Sequence, residues 1–496
     1  MTGKKSNAVR VTAAVIAALL ACGIVGCSSD SEESNIDDNN KKSDGGKQPD
    51  EADSSTQPKK YRPIVFVHGG AGSADQFESQ AMRFVSNGYP IEYITGYEYD
   101  SSNQNIDDQI MEGIEALIDE LLEETGAEQA DLVGHSMGTM KSHSFLGGSA
   151  QRAAKVAHYV NIDGMTSDEP PGGVPTLAIY AGMSGYRTDP ETGEMVHTSD
   201  EDRPTIGGAT NVFFPGITHV QAATYAETFV EMYKFFNDGE TPKTKDISPG
   251  PSEDIELAGR VVYFAVNDSP QNFTLEMYKI DQETGLRLSD TPEYKADISG
   301  NGEFGKISAR AGVYYEFVIF DEKNLDETTQ HFYYEPFIRN DYLLRLKTSR
   351  PDGVIGSTLV RREEQSNLVI VRNKEFVGDA ENYPDEKGLA KDSLTVNGIE
   401  LSTKELCPAS NRTIGMFVTD INSDDETELG QWIDAFASIP FISGADVFVA
   451  SSDPPDDPIT IVVKDRSASG TQQMLKVPNW ISTKHRISVQ FNDFVQ

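Results

Sequence analysis

Asp131-Leu-Val-Gly-His-Ser-Met-Gly-Thr139 holds a G-x-S-x-G centred on Ser136, preceded by the run Gln129 to Val133 and followed by a helix-compatible segment. A strand that passes directly into a helix must bend within one or two residues. Glycine on either side of the serine removes the Cβ atoms that would clash in that bend. The hydroxyl then stands at the edge of a sheet with a helix N-terminus behind it. The pattern makes Ser136 a candidate nucleophile on an elbow, in preference to an idle serine in a glycine-rich turn.

A serine that attacks a carbonyl needs N–H donors for the oxyanion that develops. Val65-Phe-Val-His-Gly-Gly-Ala-Gly72 has the form of the oxyanion loop of many α/β-hydrolases, a strand followed by His-Gly. It offers the backbone N–H of Gly70 as one donor, with that of Met137 as the other. A phosphate-binding loop is disfavoured because no G-x-x-x-x-G-K is present. His68 reads as a support for the loop. The general base must follow the last strand of the unit, and His219, in Phe214-Pro-Gly-Ile-Thr-His-Val220, occupies that place. Its rivals are worse placed: His135 is in the elbow, His143 on the next helix, His158 in a strand, His197 in a polar loop and His485 in the second half of the chain. For the acid, Asp163 ends the run Val160-Asn-Ile-Asp163 at a strand's C-terminal edge, where sites form in open parallel sheets. Asp189, Glu191 and Asp200, after the next strand, are the alternatives.

The surrounding pattern suits such a site. Strand-like runs at Pro63 to Val67, Gln129 to Val133, Val156 to Ile162, Pro175 to Ala181 and Asn211 to Phe214 alternate with helical segments. In one of these, Asp107 to Glu124, Ile110, Met111, Ile114, Leu117, Ile118 and Leu121 share a face. Alternation of this kind predicts a parallel sheet with helices on both faces over residues 61–239. Residues 240–254, with Pro242, Pro249 and Pro251, read as a linker. Beyond it the period falls to two, as in Val313-Tyr-Tyr-Glu-Phe-Val-Ile-Phe320. A predominantly β region follows, divided near Arg350 into modules over 255–350 and 351–496.

At the other end, Lys4, Lys5 and Arg10 precede an uncharged run from Val11 to Gly26, the layout of a signal peptide over residues 1–26. Ile24-Val-Gly-Cys27 resembles the lipobox of bacterial lipoproteins, in which the cysteine is acylated after cleavage. The expectation is an exported protein tied to the cell envelope through Cys27, on a polar tether over residues 27–60. As a flexible coil that tether would reach about 30 Å. The chain has 496 residues with 42 basic and 79 acidic side chains, a formal net charge of −37, so nucleic acid and anionic surfaces are not expected partners. Cys22, Cys27 and Cys407 cannot form a disulfide scaffold, and Cys407 is expected as a buried thiol.

Several further segments carry a family resemblance. Pro63-Ile-Val-Phe-Val-His-Gly-Gly-Ala-Gly-Ser73, Gln76 to Gln80, Asn87 to Pro90, Asp131 to Gly138, Arg152 to His158, Thr218 to Gln221, Val396 to Gly398, Cys407-Pro408 and Val489 to Phe491 are similar to the archaeal lipase. That family of long-chain carboxylesterases joins an α/β-hydrolase domain to a C-terminal β-barrel domain. The resemblance implies an ester or lipid substrate and the triad Ser136, Asp163 and His219. Two departures stand out: only Ser101 to Ile106 occupy the place of a helical lid, and Ser402 stands where the family has a second cysteine. Without the lid, short to medium acyl esters are expected, and an open cleft could admit a polyester, unless the β half covers the site from the other side. A non-catalytic surface binding protein is the contrasting reading. No cofactor is expected. Asp420, Asn422 and Asp424 alternate like calcium ligands but lack the central glycine and distal glutamate of an EF-hand, so a solvated acidic loop is preferred.

Overall fold

In the computed structural model the described residues are 61–494, apart from residues 104, 183–185, 189–194, 198–202, 299, 322–327, 351–352, 377–391, 409–410, 437–438 and 466–470. Cys22, Cys27, Asp189, Glu191 and Asp200 lie outside them. The first half runs β1 (Ile64–Val67), α1 (Glu78–Ser86), β2 (Ile94–Tyr97), α2 (Asp107–Thr125), β3 (Ala130–His135), α3 (Met137–Gly147), α4 (Ala150–Ala154), β4 (Val156–Ile162) and β5 (Thr176–Ala181). A two-stranded ribbon, β6 (Tyr186–Thr188) and β7 (Met195–His197), comes next, then β8 (Thr210–Phe214), α5 (Gln221–Thr224) and α6 (Ala226–Phe236). His197, expected in a loop, thus ends a short strand.

Six strands pair in the order β2-β1-β3-β4-β5-β8, all parallel. Period-two side-chain alternation divides β1 between two cores. Ile64 and Phe66 join Phe84, Phe229 and Phe236 from α1 and α6 on one face, while Val65 and Val67 join Ile114, Ile118 and Phe145 from α2 and α3 on the other. This is the α/β-hydrolase arrangement of a parallel sheet covered on both sides, and both apolar faces explain why its strands read as near-continuous hydrophobic runs.

The second half comprises β9 (Asp254–Tyr263), β10 (Phe273–Lys279), β11 (Tyr294–Asp297), β12 (Glu303–Arg310), β13 (Tyr315–Asp321), β14 (Thr329–Tyr334) and β15 (Asp341–Thr348). It continues with β16 (Leu368–Arg372), β17 (Ser393–Val396), β18 (Ile399–Glu400), β19 (Gly415–Thr419), β20 (Ile442–Asp446), β21 (Pro458–Lys464), β22 (Gln472–Pro478) and β23 (His485–Phe491). One eight-stranded sheet, β11-β10-β13-β14-β23-β16-β19-β20, draws strands from both sides of Arg350. The last strand, β23, inserts in parallel between β14 and β16, so the two β modules share a backbone ladder. Cys407 is a free, buried thiol whose pKa burial pushes up to about 12.

Residues 240–253 of the expected linker have no regular structure, yet they are pinned, and Asp254 already begins β9. Arg83 donates to the carbonyl of Lys245 at 3.1 Å and Arg339 to that of Ser248 at 2.9 Å. Among the described residues no helix is long and apolar enough to cross a membrane.

Candidate active site

Ser136 sits between β3 and α3 with φ 53° and ψ −121°, a backbone conformation that is costly for a residue with a Cβ. The surrounding packing enforces it. A Cβ on Gly138 would stand 2.1 Å from the carbonyl oxygen of Val67, so only glycine lets α3 begin this close to β1. The Ser136 Oγ lies 2.8 Å from His219 Nε2, and His219 Nδ1 lies 2.6 Å from Asp163 Oδ2. A carboxylate can only accept, so Nδ1 carries the proton and the Nε2 lone pair faces the serine hydroxyl. The imidazole side chain is 14% exposed and the Asp163 side chain 3%. The Ala181 N–H donates to Asp163 Oδ1 at 2.9 Å, and Arg203 bridges the carbonyl of Ala181, at 2.6 Å, and Asp163 Oδ1, at 3.4 Å. The structure therefore brings together Ser136, His219 and Asp163 from the ends of three different strands.

Gly70 and Met137 lie where the sequence suggests. Gly69 N–H donates to Gln76 at 3.2 Å, Ala71 N–H to Ser101 Oγ at 2.8 Å and Gly72 N–H to the carbonyl of Gly69 at 3.2 Å. Of these four loop amides, that of Gly70 alone has no acceptor among the described residues. Met137 is the first residue of α3, so its N–H receives no carbonyl from within the helix. His68 is fully buried, with Nδ1 2.8 Å from the carbonyl of Gly69, and burial lowers its pKa. It holds the loop as a neutral ring.

Three groups escaped the sequence reading. His135, which the elbow motif leaves unspecified, lies 2.6 Å from the Gln76 amide through Nδ1 and donates through Nε2 to the carbonyl of His219 at 2.8 Å. Burial, then the neighbouring His219, lowers its pKa to about 3, so it stays neutral. Ser101 accepts from the Ala71 N–H and so braces the loop that carries Gly70. The β half contributes most. Asn267 donates to the carbonyl of Gly72 at 2.8 Å, Lys347 to Asp75 at 2.6 Å, Asn373 to the carbonyl of Asp75 at 2.8 Å, and Glu375 accepts from Thr218 at 2.5 Å. Contacts separated by more than a hundred residues leave no local signature, and no spacing rule would have found them.

Beside the serine, an apolar pocket is floored by residues 69–72, His135, Ser136 and His219 and walled by Phe264, Val369, Val371, Ile414, Phe417, Phe441 and Ile442, all from the β half. An open cleft is the expectation unless the β half covers the site from the other side, and these residues of the β half line it. The six-residue interval from Ser101 to Ile106 has no helix among its described residues, and the wall comes from strands β16, β19 and β20 and from the turns and loops that hold Phe264, Ile414 and Phe441.

Residues 61–156 match the model described as Lipase (class 2), and residues 253–351 match that of the Lipase C-terminal domain. A further C-terminal-domain model matches residues 354–495. Among solved structures, lipase BlEst2 from Bacillus licheniformis is similar to 37% of this chain over 96% of its own length, at 16% identity and a TM-score of 0.28. Carboxylesterase CesB from Bacillus subtilis is similar to 37% of this chain over 86% of its own, at 13% identity and a TM-score of 0.25.

The acidic loop is occupied by its own chain. Asp420 accepts from the N–H groups of Ser423 and Asp425 at 2.7 and 3.0 Å and from Arg362 at 3.0 Å, while Asn422 pairs with Asp424. Among the described residues no group of three His, Cys, Asp or Glu side chains is placed to hold a metal.

Proposed function

We propose that this chain hydrolyses carboxylic esters through Ser136, His219 and Asp163. Ser136 Oγ attacks the ester carbonyl while His219 Nε2 takes its proton. The resulting oxyanion lies against the N–H groups of Gly70 and Met137. His219 then gives the proton to the leaving alcohol, and water releases the acyl group by the same steps in reverse roles. Asp163 keeps the imidazole in the required tautomer and stabilises its cationic form. The observation that carries this reading is the bridging imidazole, 2.8 Å from the serine hydroxyl and 2.6 Å from a buried carboxylate, at the floor of an apolar pocket. A non-catalytic binding surface has no need of that alignment.

The pocket wall favours an acyl chain of short to medium length, because apolar side chains close it on the side facing the serine. Acylation of Cys27 would hold the enzyme at the cell envelope, an assignment that rests on Ile24 to Cys27. The deciding experiment is hydrolysis of nitrophenyl esters of graded acyl length by the full chain and by Ser136→Ala. Loss of about 10⁴-fold or more in the variant is expected. A Ser136→Ala protein that keeps its activity excludes the mechanism. For the anchor, Cys27→Ser should no longer sediment with membranes, and persistent association would exclude acylation there as the tether.

A further inference from the structure

We propose that Glu375, a carboxylate of the β half, is a positioning residue that fixes the imidazole of His219 by holding the residue on either side of it. The inference rests on the ester-hydrolase reading above. His219 lies in irregular backbone between β8 and α5, and such a loop moves unless its polar groups are tied down. Glu375 Oε2 accepts from the hydroxyl of Thr218 at 2.5 Å, and Oε1 accepts from the N–H of Val220 at 3.2 Å. The carbonyl of His219 itself is held at 2.8 Å by His135. The Thr218 side chain, the Val220 N–H and the carbonyl of His219 itself are thus restrained, two of the three by one side chain 155 to 157 residues away in sequence.

The holder is itself rigid. Glu375 has no exposed surface, and a buried carboxylate persists only where hydrogen bonds replace its water. Its carbonyl accepts from Arg372 Nη2 at 2.6 Å, and Arg372 Nε donates to the carbonyl of Lys374 at 3.2 Å. Arg372 ends β16, is fully buried, and pairs with Asp392. One residue on, the Phe376 N–H donates to the carbonyl of Thr413 at 2.9 Å. A continuous chain of buried bonds therefore registers the imidazole against the central strands of the β sheet. Its consequence for chemistry follows from tolerance: a misplacement of about 1 Å in an aligned site costs about 100-fold in rate.

The variants separate positioning from bulk stability. Glu375→Ala removes both acceptors. Glu375→Gln can keep both contacts, since its carbonyl accepts from Val220 and its amide donates to a Thr218 hydroxyl that has turned to accept. Thr218→Val removes one contact and leaves Glu375 in place. With nitrophenyl butyrate and the full chain, Glu375→Ala is expected to lower kcat about 100-fold with KM nearly unchanged, and to slow fluorophosphonate labelling of Ser136 in parallel. Glu375→Gln should recover most of that loss, and Thr218→Val should fall between. A folded Glu375→Ala protein with wild-type kcat, or with a loss confined to KM, overturns the proposal. If Glu375→Ala does not fold, an unchanged kcat in Thr218→Val overturns it equally. Failure of the underlying reading looks different: the wild type hydrolyses no ester, or Ser136→Ala is as active as the wild type, and both proposals fall together.

Discussion

Asn267, in the turn that leaves β9, donates its side-chain amide to the carbonyl of Gly72 at 2.8 Å and so ties the β half to the loop that carries Gly70. The same amide nitrogen lies 3.1 Å from His68 Nε2 and 3.2 Å from the carbonyl of Tyr99. One nitrogen with two hydrogens therefore serves three acceptors on two segments of the hydrolase half. A loop that must present an N–H to a transient oxyanion gains from this, because donors held in place before the reaction need no reorganisation during it.

Asn267→Gly is the clean deletion, since Asn267 has φ 58° and glycine adopts that conformation without strain. Loss of about tenfold or more in kcat is expected from a loosened donor. KM should change little, because the acyl wall is untouched. Asn267→Asp should be worse, as it sets a carboxylate against two carbonyl oxygens. A Gly variant with wild-type kcat would show that the loop holds itself.

The elbow stores strain that substitution can release. A non-glycine residue held outside the common φ/ψ regions costs about 1–3 kcal/mol. Ser136→Ala keeps the Cβ and the strain, whereas Ser136→Gly relieves it. Both should be inactive, and Ser136→Gly should melt several degrees above Ser136→Ala. Equal melting temperatures would mean that the turn is relaxed at φ 53°.

What the sequence disclosed and what it hid divide along contact range. Ser136, Gly138 and the oxyanion loop are local motifs, because a tight turn dictates its residues within a few positions. His219 was found from its place after the last strand. Asp163 was one of four candidates until the family resemblance chose it, since a carboxylate at a strand end looks the same whichever strand it ends. Asn267, Lys347 and Glu375 were invisible: each acts on a partner 155 to 272 residues away. For the same reason the sequence leaves open whether the β half reaches the site, whereas in the fold Phe417 on β19 and Phe441 in the turn before β20 line the pocket. The division near Arg350 gave no hint that β23 would return to join both modules, because pairing register has no sequence signature beyond alternation.

Stability should fail on the alkaline side. Burial raises the pKa of Tyr89, Tyr99, Tyr159, Tyr333 and Tyr334 above the ordinary 10.0, and raises that of Tyr180 to about 12. Each is neutral in the fold and ionises near its ordinary value once exposed. Above pH 10 the unfolded chain therefore binds fewer protons than the native one, and stability declines as pH rises, by up to ~1.4 kcal/mol per pH unit for each such phenol. Absorbance at 295 nm should rise together with loss of far-UV circular dichroism. A gradual tyrosinate titration with the fold intact would contradict the burial argument.

The acyl wall leads to the last prediction. Lids that open at an oil surface are hinged helices or loops, whereas Val369 and Val371 lie on β16, Phe417 on β19 and Ile442 on β20, strands locked in one ladder. Swinging them aside would break that ladder, so the wall should stay in place in water and at an interface alike. Hyperbolic kinetics on dissolved esters are expected, with no jump as tributyrin passes its solubility limit. Phe441 is one of the aromatic side chains that line the pocket. It holds φ 68°, an outlier for a bulky residue, while its carbonyl accepts from Ile414 and Gly415 at 2.8 and 3.1 Å. Phe441→Gly keeps those backbone bonds, relieves the strain and deletes the ring. The ratio of kcat/KM for decanoate over butyrate esters should then rise about tenfold or more, on the usual worth of added methylenes in an apolar pocket. A sharp rate increase at the tributyrin limit would show that the wall moves, and an unchanged chain-length ratio in Phe441→Gly would place the acyl chain elsewhere.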